Sequence, residues 1–306
     1  MKFLDFVVLL VLLALLFFGI YFLWQNFPTQ AVEFEEYKAN IINDFPLQSA
    51  QFYPRMRYAD KSISYSLSES CGARKEGDFE EAIGILQEKT ILEFYRAENA
   101  QISVSCSNLS PKPAEEGHFI AGEGGPSLII NASKYSVILS GKIALYRVET
   151  CDEPQIAIHE ILHALGFDHN SNESSIMYPI TNCKQQIDQY IIDEINTLYS
   201  LPSLADLLIE SVKANKTGIY LNFEVTIANY GFKDVKNSSL YLIIDNSVYK
   251  SFDINGVDLG SKKTLTISNL RIPRKTEEIT LAINTDEPEL ATTNNKVEMK
   301  VVRLEA

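Results

Sequence analysis

Five residues within one short stretch have the types and the spacing of a catalytic metal site. His159, His163 and His169 follow the pattern H-E-x-x-H-x-x-G-x-x-H, with Glu160 directly after the first histidine. Two histidines four positions apart on a helix project from the same face, one turn apart, so both imidazoles can reach one ion. Gly166 is expected to end that helix, because glycine adopts the left-handed C-cap conformation at little cost. The resulting turn would bring His169 to the same ion.

The chemistry of such a site is hydrolytic. Three protein ligands leave the fourth tetrahedral position open for water, which is typical of a catalytic zinc rather than a structural one. Zinc lowers the pKa of its bound water toward neutrality and polarises a substrate carbonyl. Glu160 is placed to take a proton from that water and to deliver it to a leaving amine. The alternative interpretation is a buried helix with two core histidines and a solvent-facing glutamate.

The helix that carries the histidines needs a buried side and a defined start. Its apolar residues lie on the face opposite the histidines; they are Ile158, Ile161, Leu162 and Leu165. Asp152 is expected to be the N-cap, with Pro154 in the first turn and Gln155 completing a capping box. A packed element, rather than a loop, should therefore hold the metal ligands.

Around this helix, the apolar spacing indicates both strands and helices, which is typical of an α+β domain. Alternation predicts strands at residues 62–68, 102–106, 127–131 and 136–148, and helical spacing predicts helices at 78–97 and 185–199. The glycine-rich run 117–126 is interpreted as a turn, since no lysine and hydroxyl residue follow it to bind phosphate. The strand 136–148 is expected at the sheet edge, where an extended peptide can pair with it.

The histidine motif is followed by Ile176-Met177-Tyr178-Pro179, and the two stretches together resemble the metzincin zinc endopeptidases, in particular the matrixin branch. The resemblance implies a metzincin-type fold over roughly residues 60–200. It also implies one catalytic Zn²⁺, with Glu160 as the general base and three ligands, namely His159, His163 and His169.

The resemblance also assigns roles to the residues after the third histidine. Met177 would lie beneath the metal as a supporting apolar base. Three neighbours would line the substrate pocket, namely Tyr178, Pro179 and Ile180. Thr181 and Asn170 depart from the usual matrixin pattern, which has other residues at these two positions.

The chain has four cysteines, Cys71, Cys106, Cys151 and Cys183. An even number in an oxidising compartment indicates two disulfides, for which three connectivities exist. We favour Cys71 with Cys106 and Cys151 with Cys183. Metal ligation by these cysteines is disfavoured, because none has C-x-x-C spacing.

The N-terminus has the properties of a membrane segment. The stretch from Phe6 to Trp24 contains no charge and is long enough to cross the hydrocarbon core. Lys2 precedes it, and Tyr21 and Trp24 lie at its far end, where aromatic side chains favour the interface. An uncleaved anchor with a cytoplasmic N-terminus is expected. The alternative is a signal peptide cleaved near Ala31.

After residue 201 the pattern changes to short strands separated by turns. Strand-like runs recur at 207–211, 220–228, 240–244, 265–270 and 279–283, which is typical of an immunoglobulin-like sandwich of about seven strands. Asn229-Tyr230-Gly231 and the stretch 286–295 resemble CARDB-type adhesion modules of prokaryotic surface proteins. The resemblance implies a cell-surface ligand, and a spacer without a ligand is the alternative.

These observations divide the chain into an anchor (1–27), a stalk (28–57), a peptidase domain (58–201) and a sandwich (202–306). The net charge of −13 argues against a nucleic-acid partner, which requires clustered basic residues. We expect a single-pass membrane protein whose extracellular zinc endopeptidase cleaves protein or peptide. The alternative is a surface adhesion or structural protein whose peptidase-like domain binds zinc without catalysis. The intact Glu160 favours the first.

Overall fold

The chain folds into two compact units. The computed structural model describes residues 3–26, 31–40, 50–112 and 119–302. One unit consists of Met1–Asn40, Leu207–Asn229 and Val235–Ala306, and the other of Ile41–Asp206 and Tyr230–Asp234. The chain therefore begins in the first unit, leaves it to build the second, and then returns.

The chain starts with one long apolar helix and two short strands. Helix α1 covers Phe3–Asn26, strand β1 covers Ala31–Glu33 and strand β2 covers Tyr37–Lys38. The large apolar side chains between Phe6 and Trp24 are exposed. By length and composition this helix can cross a membrane or act as a signal sequence.

The second unit is a mixed sheet with three helices. Its elements are β3 (Met56–Tyr58), β4 (Ser62–Leu67), α2 (Ala73–Lys89), β5 (Glu93–Arg96), β6 (Ile102–Cys106), β7 (Gly122–Asn131), β8 (Ser136–Leu145), α3 (Gln155–Ala164) and α4 (Gln189–Tyr199). The strand order is β3-β8-β6-β4-β5, with every one of these pairs parallel. Strand β7 runs antiparallel to β8 and has no other partner among the described strands.

Strand β7, and not the strand after it, is therefore the edge beside α3. The expectation that 136–148 forms the edge is wrong, because β8 also pairs with β3 and β6. The interpretation of the glycine-rich run as a turn is wrong from Gly122 to Pro126, which belong to β7. Residues 117 and 118 lie outside the described residues.

The amphipathic helix predicted over 78–97 is also wrong in its second half. Helix α2 ends at Lys89, where Thr90 turns to an extended conformation and its hydroxyl donates to the Leu86 carbonyl at 2.7 Å. The chain then enters β5, which contains Phe94 and pairs with β4. Ile91 and Phe94 continue the helical spacing of apolar residues although they lie beyond the helix end, so the spacing alone did not mark the boundary. Helix α4 likewise starts at Gln189, four residues later than the prediction.

One apolar core joins the helices to the sheet. Fully buried side chains come from each layer, for example Phe79, Ile102, Ile161 and Ile195, and each such burial contributes about 1.5–3 kcal/mol. Two disulfides brace this core, Cys71–Cys106 and Cys151–Cys183. Both favoured pairings are present. The second ties the segment before α3 to the segment after Met177.

The first unit is an antiparallel sandwich. Its main strands are β9 (Leu207–Thr217), β10 (Tyr220–Asn229), β11 (Ser238–Ile244), β12 (Ser247–Asp253), β13 (Lys262–Arg271), β14 (Glu278–Thr285) and β15 (Lys296–Lys300). One sheet has the order β1-β9-β10-β13, with β2 also paired to β9, and the other has the order β12-β11-β14-β15. The seven strands from β9 onward give the sandwich expected from the sequence.

The stretch expected to be a stalk instead contributes to this sandwich. Ala31 is paired with Thr217, and Tyr37 is paired with Val212. Phe34 between them is buried, and its N–H donates to the Ala214 carbonyl at 3.0 Å. Residues 31–38 thus belong to a folded sheet, in which β1 and β2 pair with the edge of β9 that β10 leaves open. Residues 41–49 of the expected stalk lie outside the described residues.

Candidate metal centre

Helix α3 is capped by a carboxylate that lies well before it in the chain. The Glu149 side chain accepts the N–H groups of Ile156 at 3.0 Å, Thr150 at 2.7 Å and Cys151 at 2.9 Å. Asp152 makes no side-chain cap bond, and the residue before the helix is Pro154. The expectation of an Asp152 cap is therefore wrong. Glu149 satisfies an orphan N–H of the first turn and places negative charge at the positive end of the helix.

The other end of α3 stops at the turn predicted at Gly166. Gly166 has φ +98°, in the left-handed region. Its N–H donates to the His163 carbonyl at 2.9 Å, and the Phe167 N–H donates to the Leu162 carbonyl at 3.0 Å. This pair of bonds is a Schellman motif. A Cβ on Gly166 would also lie 2.8 Å from the Met56 Cβ, so both conformation and space require glycine.

The turn brings His169 to the two histidines of α3, so that the Nε2 atoms of all three converge. The Nε2 separations are 2.9 Å for His159 and His163, 3.2 Å for His159 and His169, and 3.1 Å for His163 and His169. A tetrahedral zinc ion with Zn–N bonds of about 2.0–2.1 Å holds two ligand nitrogens about 3.3–3.4 Å apart. The donor set therefore fits zinc after a small outward adjustment of the rings.

Backbone carbonyls orient two of these rings. The Nδ1 atom of His159 lies 2.6 Å from the Ile176 carbonyl, and that of His163 lies 2.8 Å from the Phe167 carbonyl. A carbonyl can only accept, so Nδ1 carries the proton and the lone pair of Nε2 is left for a metal ion. Burial lowers the pKa of His159 to about 3 and that of His163 to about 4, which keeps both imidazoles neutral at physiological pH.

Glu160 is buried beside these ligands and carries a perturbed carboxyl group. Burial first, and the charge of Glu123 second, raise the pKa of Glu160 to about 8. Glu123 lies on β7, the strand that covers Glu160, and its carboxylate accepts the Tyr146 hydroxyl at 2.6 Å. A carboxyl group titrating near neutrality can both take up and release a proton, as a general base that later acts as an acid must do.

The glycines of β7 allow this strand to approach Glu160 closely. A Cβ on Gly122 would lie 2.7 Å from the Glu160 Cγ, and a Cβ on Gly124 would overlap the Glu160 carbonyl oxygen. Gly125, the next residue, has nothing within 4 Å of its Cβ position. The run that looked like a turn in the sequence is thus a strand whose missing side chains make room for the helix.

The segment after the third histidine is hydrogen-bonded to residues 175–177, called here the methionine turn. The Asn170 N–H donates to the Met177 carbonyl at 2.9 Å. The Asn170 side-chain amide donates to the Ser175 hydroxyl at 2.7 Å and to the Tyr190 hydroxyl at 2.9 Å. The Ser175 hydroxyl in turn donates to the Asp188 carboxylate. Met177 is fully buried. The departure of Asn170 from the matrixin pattern was visible in the sequence, but its bonds to Ser175 and Tyr190 were not.

The three residues expected at the substrate pocket follow directly after the methionine turn. Tyr178 is half-buried, and Pro179 and Ile180 are exposed. The Ile180 carbonyl accepts the Gln185 side-chain amide at 2.9 Å, which holds the segment in place. The structure thus presents two of the three side chains at the surface, where they remain candidates for substrate contact.

Comparison with known families finds one match for residues 57–200 and another for residues 204–299. The Matrixin family model matches residues 57–200, and the CARDB family model matches residues 204–299. The chain contains a matrixin domain followed by a CARDB domain. The resemblances seen in the sequence are confirmed, and matrixins are metallopeptidases that depend on zinc. The part of the chain before the matrixin domain adds the apolar helix α1.

Solved structures similar to the chain include two CARDB domains. A crystal structure of a CARDB domain from Pyrococcus furiosus in complex with di-metal ions is 22% identical, covering 32% of this chain and 87% of that one, with a TM-score of 0.27. A solution NMR structure of a CARDB domain from the same organism is 24% identical, covering 33% and 98%, with a TM-score of 0.28. No curated protein matches the chain.

Replacing Gly124 of the matrixin domain by alanine is expected to destabilise the domain. The new methyl group would collide with the Glu160 backbone, and overpacking of this kind costs about 1–3 kcal/mol. Thermal unfolding of the full chain in detergent measures the effect. Gly125→Ala is the matched control, because its Cβ enters open space. Equal stability of the two variants would show that β7 does not pack closely against α3 at Gly124.

Removing the Asn170 side chain is expected to weaken metal binding without unfolding the domain. Asn170→Ala loses the side-chain bonds to Ser175, to Tyr190 of α4 and to the Asn172 N–H, and loss of such outer partners typically costs about 10–100-fold in metal affinity. Competition with a chelator measures the zinc affinity. Ser171→Ala, at the exposed neighbouring position, is the control. Unchanged affinity in Asn170→Ala would mean that His169 needs no such support.

Proposed function

We propose that the chain is a membrane-anchored zinc endopeptidase that hydrolyses peptide bonds of extracellular proteins or peptides. The observation that carries this proposal is the convergence of three imidazoles whose Nε2 atoms lie within 3.2 Å of one another, with the buried Glu160 beside them. Three nitrogen ligands leave a position for water, so the geometry suits a catalytic ion. Membership of residues 57–200 in the Matrixin family supports peptide hydrolysis in particular.

His159, His163 and His169 are the residues that would hold the zinc ion. Bound there, zinc supplies an activated water and polarises the scissile carbonyl. The carbonyls of Ile176 and Phe167 keep the first two rings fixed while this happens, since each accepts an Nδ1 proton. The protein would thus meet the metal with oriented ligands that need only a small outward adjustment of the rings.

Glu160 is the residue proposed to move the proton. Its carboxylate accepts the proton released by the attacking water and passes it to the amine that leaves. Burial by β7 and by the core of α3 excludes bulk water from the carboxyl group, which is why its pKa is raised to about 8. A nearby divalent cation favours the charged form, so metal binding would bring the pKa down toward the range of a working base.

Strand β7 is the element proposed to bind the substrate backbone. It has β8 as its sole partner among the described strands, so its other edge offers N–H and C=O groups to an extended peptide. Gly122 and Gly124 lie directly against Glu160. A peptide paired with this part of β7 would therefore have a backbone bond next to the proposed base. Side-chain preference would come from the segment Tyr178–Pro179–Ile180.

Helix α1 is proposed to anchor the enzyme, with the N-terminus in the cytoplasm and both domains outside. Lys2 before the span supports this orientation, and Tyr21 and Trp24 at the far end of the span favour a membrane interface there. Two disulfides in the matrixin domain support an oxidising compartment. The CARDB domain would then be extracellular as well, available to a cell-surface ligand.

The decisive variant for the peptidase activity is Glu160→Gln. The amide keeps the size of the side chain but cannot accept the water proton, so casein cleavage should fall about 10²–10⁴-fold. Zinc content, measured by mass spectrometry, should stay at one ion per chain. Glu153→Gln, the same substitution at an exposed position, is the control.

Two results would contradict the proposal. Cleavage by Glu160→Gln at the wild-type rate would remove Glu160 from the mechanism. Cleavage by the wild-type protein that is insensitive to a chelator would remove zinc. Zinc binding without any cleavage by the wild-type protein would favour the adhesion or structural role instead.

A further inference from the structure

We propose that one end of the β-sandwich docks on the lipid interface of the membrane that α1 crosses, which rests on the proposed anchor. This end, called here the basal end, consists of the turns 216–220, 244–249 and 271–277. Its partner is the bilayer surface itself, through interfacial tyrosines, an exposed valine and basic side chains. The CARDB domain would thereby be a membrane-seated module rather than one held away from the bilayer.

The first argument is the short connection between α1 and the sandwich. Trp24 ends the uncharged span, and Ala31 is already paired with Thr217 in the sheet. Seven residue steps reach at most about 25 Å when fully extended. The turn that contains residue 217 therefore has to stay within this distance of the membrane surface, whatever path residues 27–30 follow.

The second argument is a direct contact between the span and the basal end. The Arg274 guanidinium lies over the Trp24 ring, 4.9 Å from its centroid, and also donates to the Trp24 carbonyl. Tryptophan at the end of a span lies at the level of the headgroups. Arg274 and the loop that carries it are thus placed at that level too.

The third argument is that the three turns form one surface. Tyr220 is paired with Arg271 across β10 and β13. The Tyr249 hydroxyl donates to the Arg271 carbonyl at 2.8 Å, and the Ile272 N–H donates to the Ile219 carbonyl at 2.8 Å. The hairpin of β11 and β12 therefore lies beside the other two turns.

The surface is also rigid. The Lys216 ammonium is buried and donates to the Arg274 carbonyl at 3.0 Å and to the Thr276 carbonyl. This side chain ties the loop 271–277 to strand β9 from within. The basal end can therefore meet the bilayer as a preformed surface, without first losing the freedom of a mobile loop.

The side chains that this surface exposes match the chemistry of a bilayer interface. Val248 is 61% exposed, Tyr249 44% and Tyr220 41%. Arg271 and Lys275 are exposed among them. Tyrosine favours the headgroup layer because it combines an apolar ring with a polar tip, and basic side chains attract anionic lipids. The chain as a whole carries a net charge of −13, so these exposed bases are not a general property of its surface.

Acidic residues at the same end limit the electrostatic part of this attraction. Asp245 is exposed in the turn 244–249, and Glu277 ends the turn 271–277. Glu278 follows, and its carboxylate lies 3.6 Å from the Lys300 ammonium. Bases and acids therefore nearly balance, and the aromatic and apolar side chains provide most of the affinity. Docking should consequently persist in bilayers of neutral lipid.

Tryptophan fluorescence of the full chain in lipid nanodiscs tests the proposal. Trp24 is the sole tryptophan, so quenching of the native protein by brominated lipid reports insertion of α1. The double variant Trp24→Phe/Val248→Trp reports contact of the basal end. Trp24→Phe/Asp258→Trp is the matched control, since Asp258 is exposed and precedes β13, whereas the loop 271–277 follows β13 at its other end.

Docking predicts that brominated lipid quenches the fluorescence of the Val248→Trp double variant by a fraction within about twofold of that for Trp24 in the native protein. This fraction should be about threefold or more above that of the Asp258→Trp double variant. Quenching of Trp24 with none for Val248→Trp would overturn the docking and leave the anchor intact. Absence of quenching for Trp24 itself would overturn the anchor, and the docking with it. Equal quenching of Val248→Trp and Asp258→Trp would also overturn the docking, because no particular end would then face the lipid.

Discussion

The turn at Gly166 is the constraint on which the candidate metal site depends. Helix α3 supplies His159 and His163 by its own periodicity, but the third imidazole can reach them only if the chain reverses at once. A φ of +98° and the contact with Met56 leave glycine as the residue that fits. The same turn presents the Phe167 carbonyl to His163 at 2.8 Å. One local conformation therefore places the third ligand and orients the second.

Packing on two sides then holds the ligands in position. On one side, the glycines of β7 let the edge strand lie against Glu160. On the other side, the methionine turn offers the Ile176 carbonyl to His159 and the Met177 carbonyl to Asn170. Edge strand, helix and turn thus form one connected unit. A displacement of any part would change the ligand geometry, which is why residues that touch no metal can control its affinity.

The sequence revealed those parts of the site whose causes are local. The histidine motif, the glycine turn and Met177 lie within a short stretch, and their spacing alone brings the imidazoles together. The role of β7 was hidden, because glycine marks a turn and a close approach equally well, and only the contact with Glu160 distinguishes them. The Glu149 cap was missed because a bend, not a capping box, brings it to Ile156. The pairing of β1 with β9 joins distant parts of the chain, and no local pattern encodes it.

We propose that three imidazole nitrogens bind one zinc ion that also carries a water. X-ray absorption at the zinc edge of the zinc-loaded full chain measures this coordination directly. We expect three nitrogen neighbours and one oxygen at about 2.0–2.1 Å, with no sulfur. One nitrogen neighbour should be lost in His169→Ala. A sulfur neighbour at about 2.3 Å, or a spectrum unchanged in His169→Ala, would rule out this coordination.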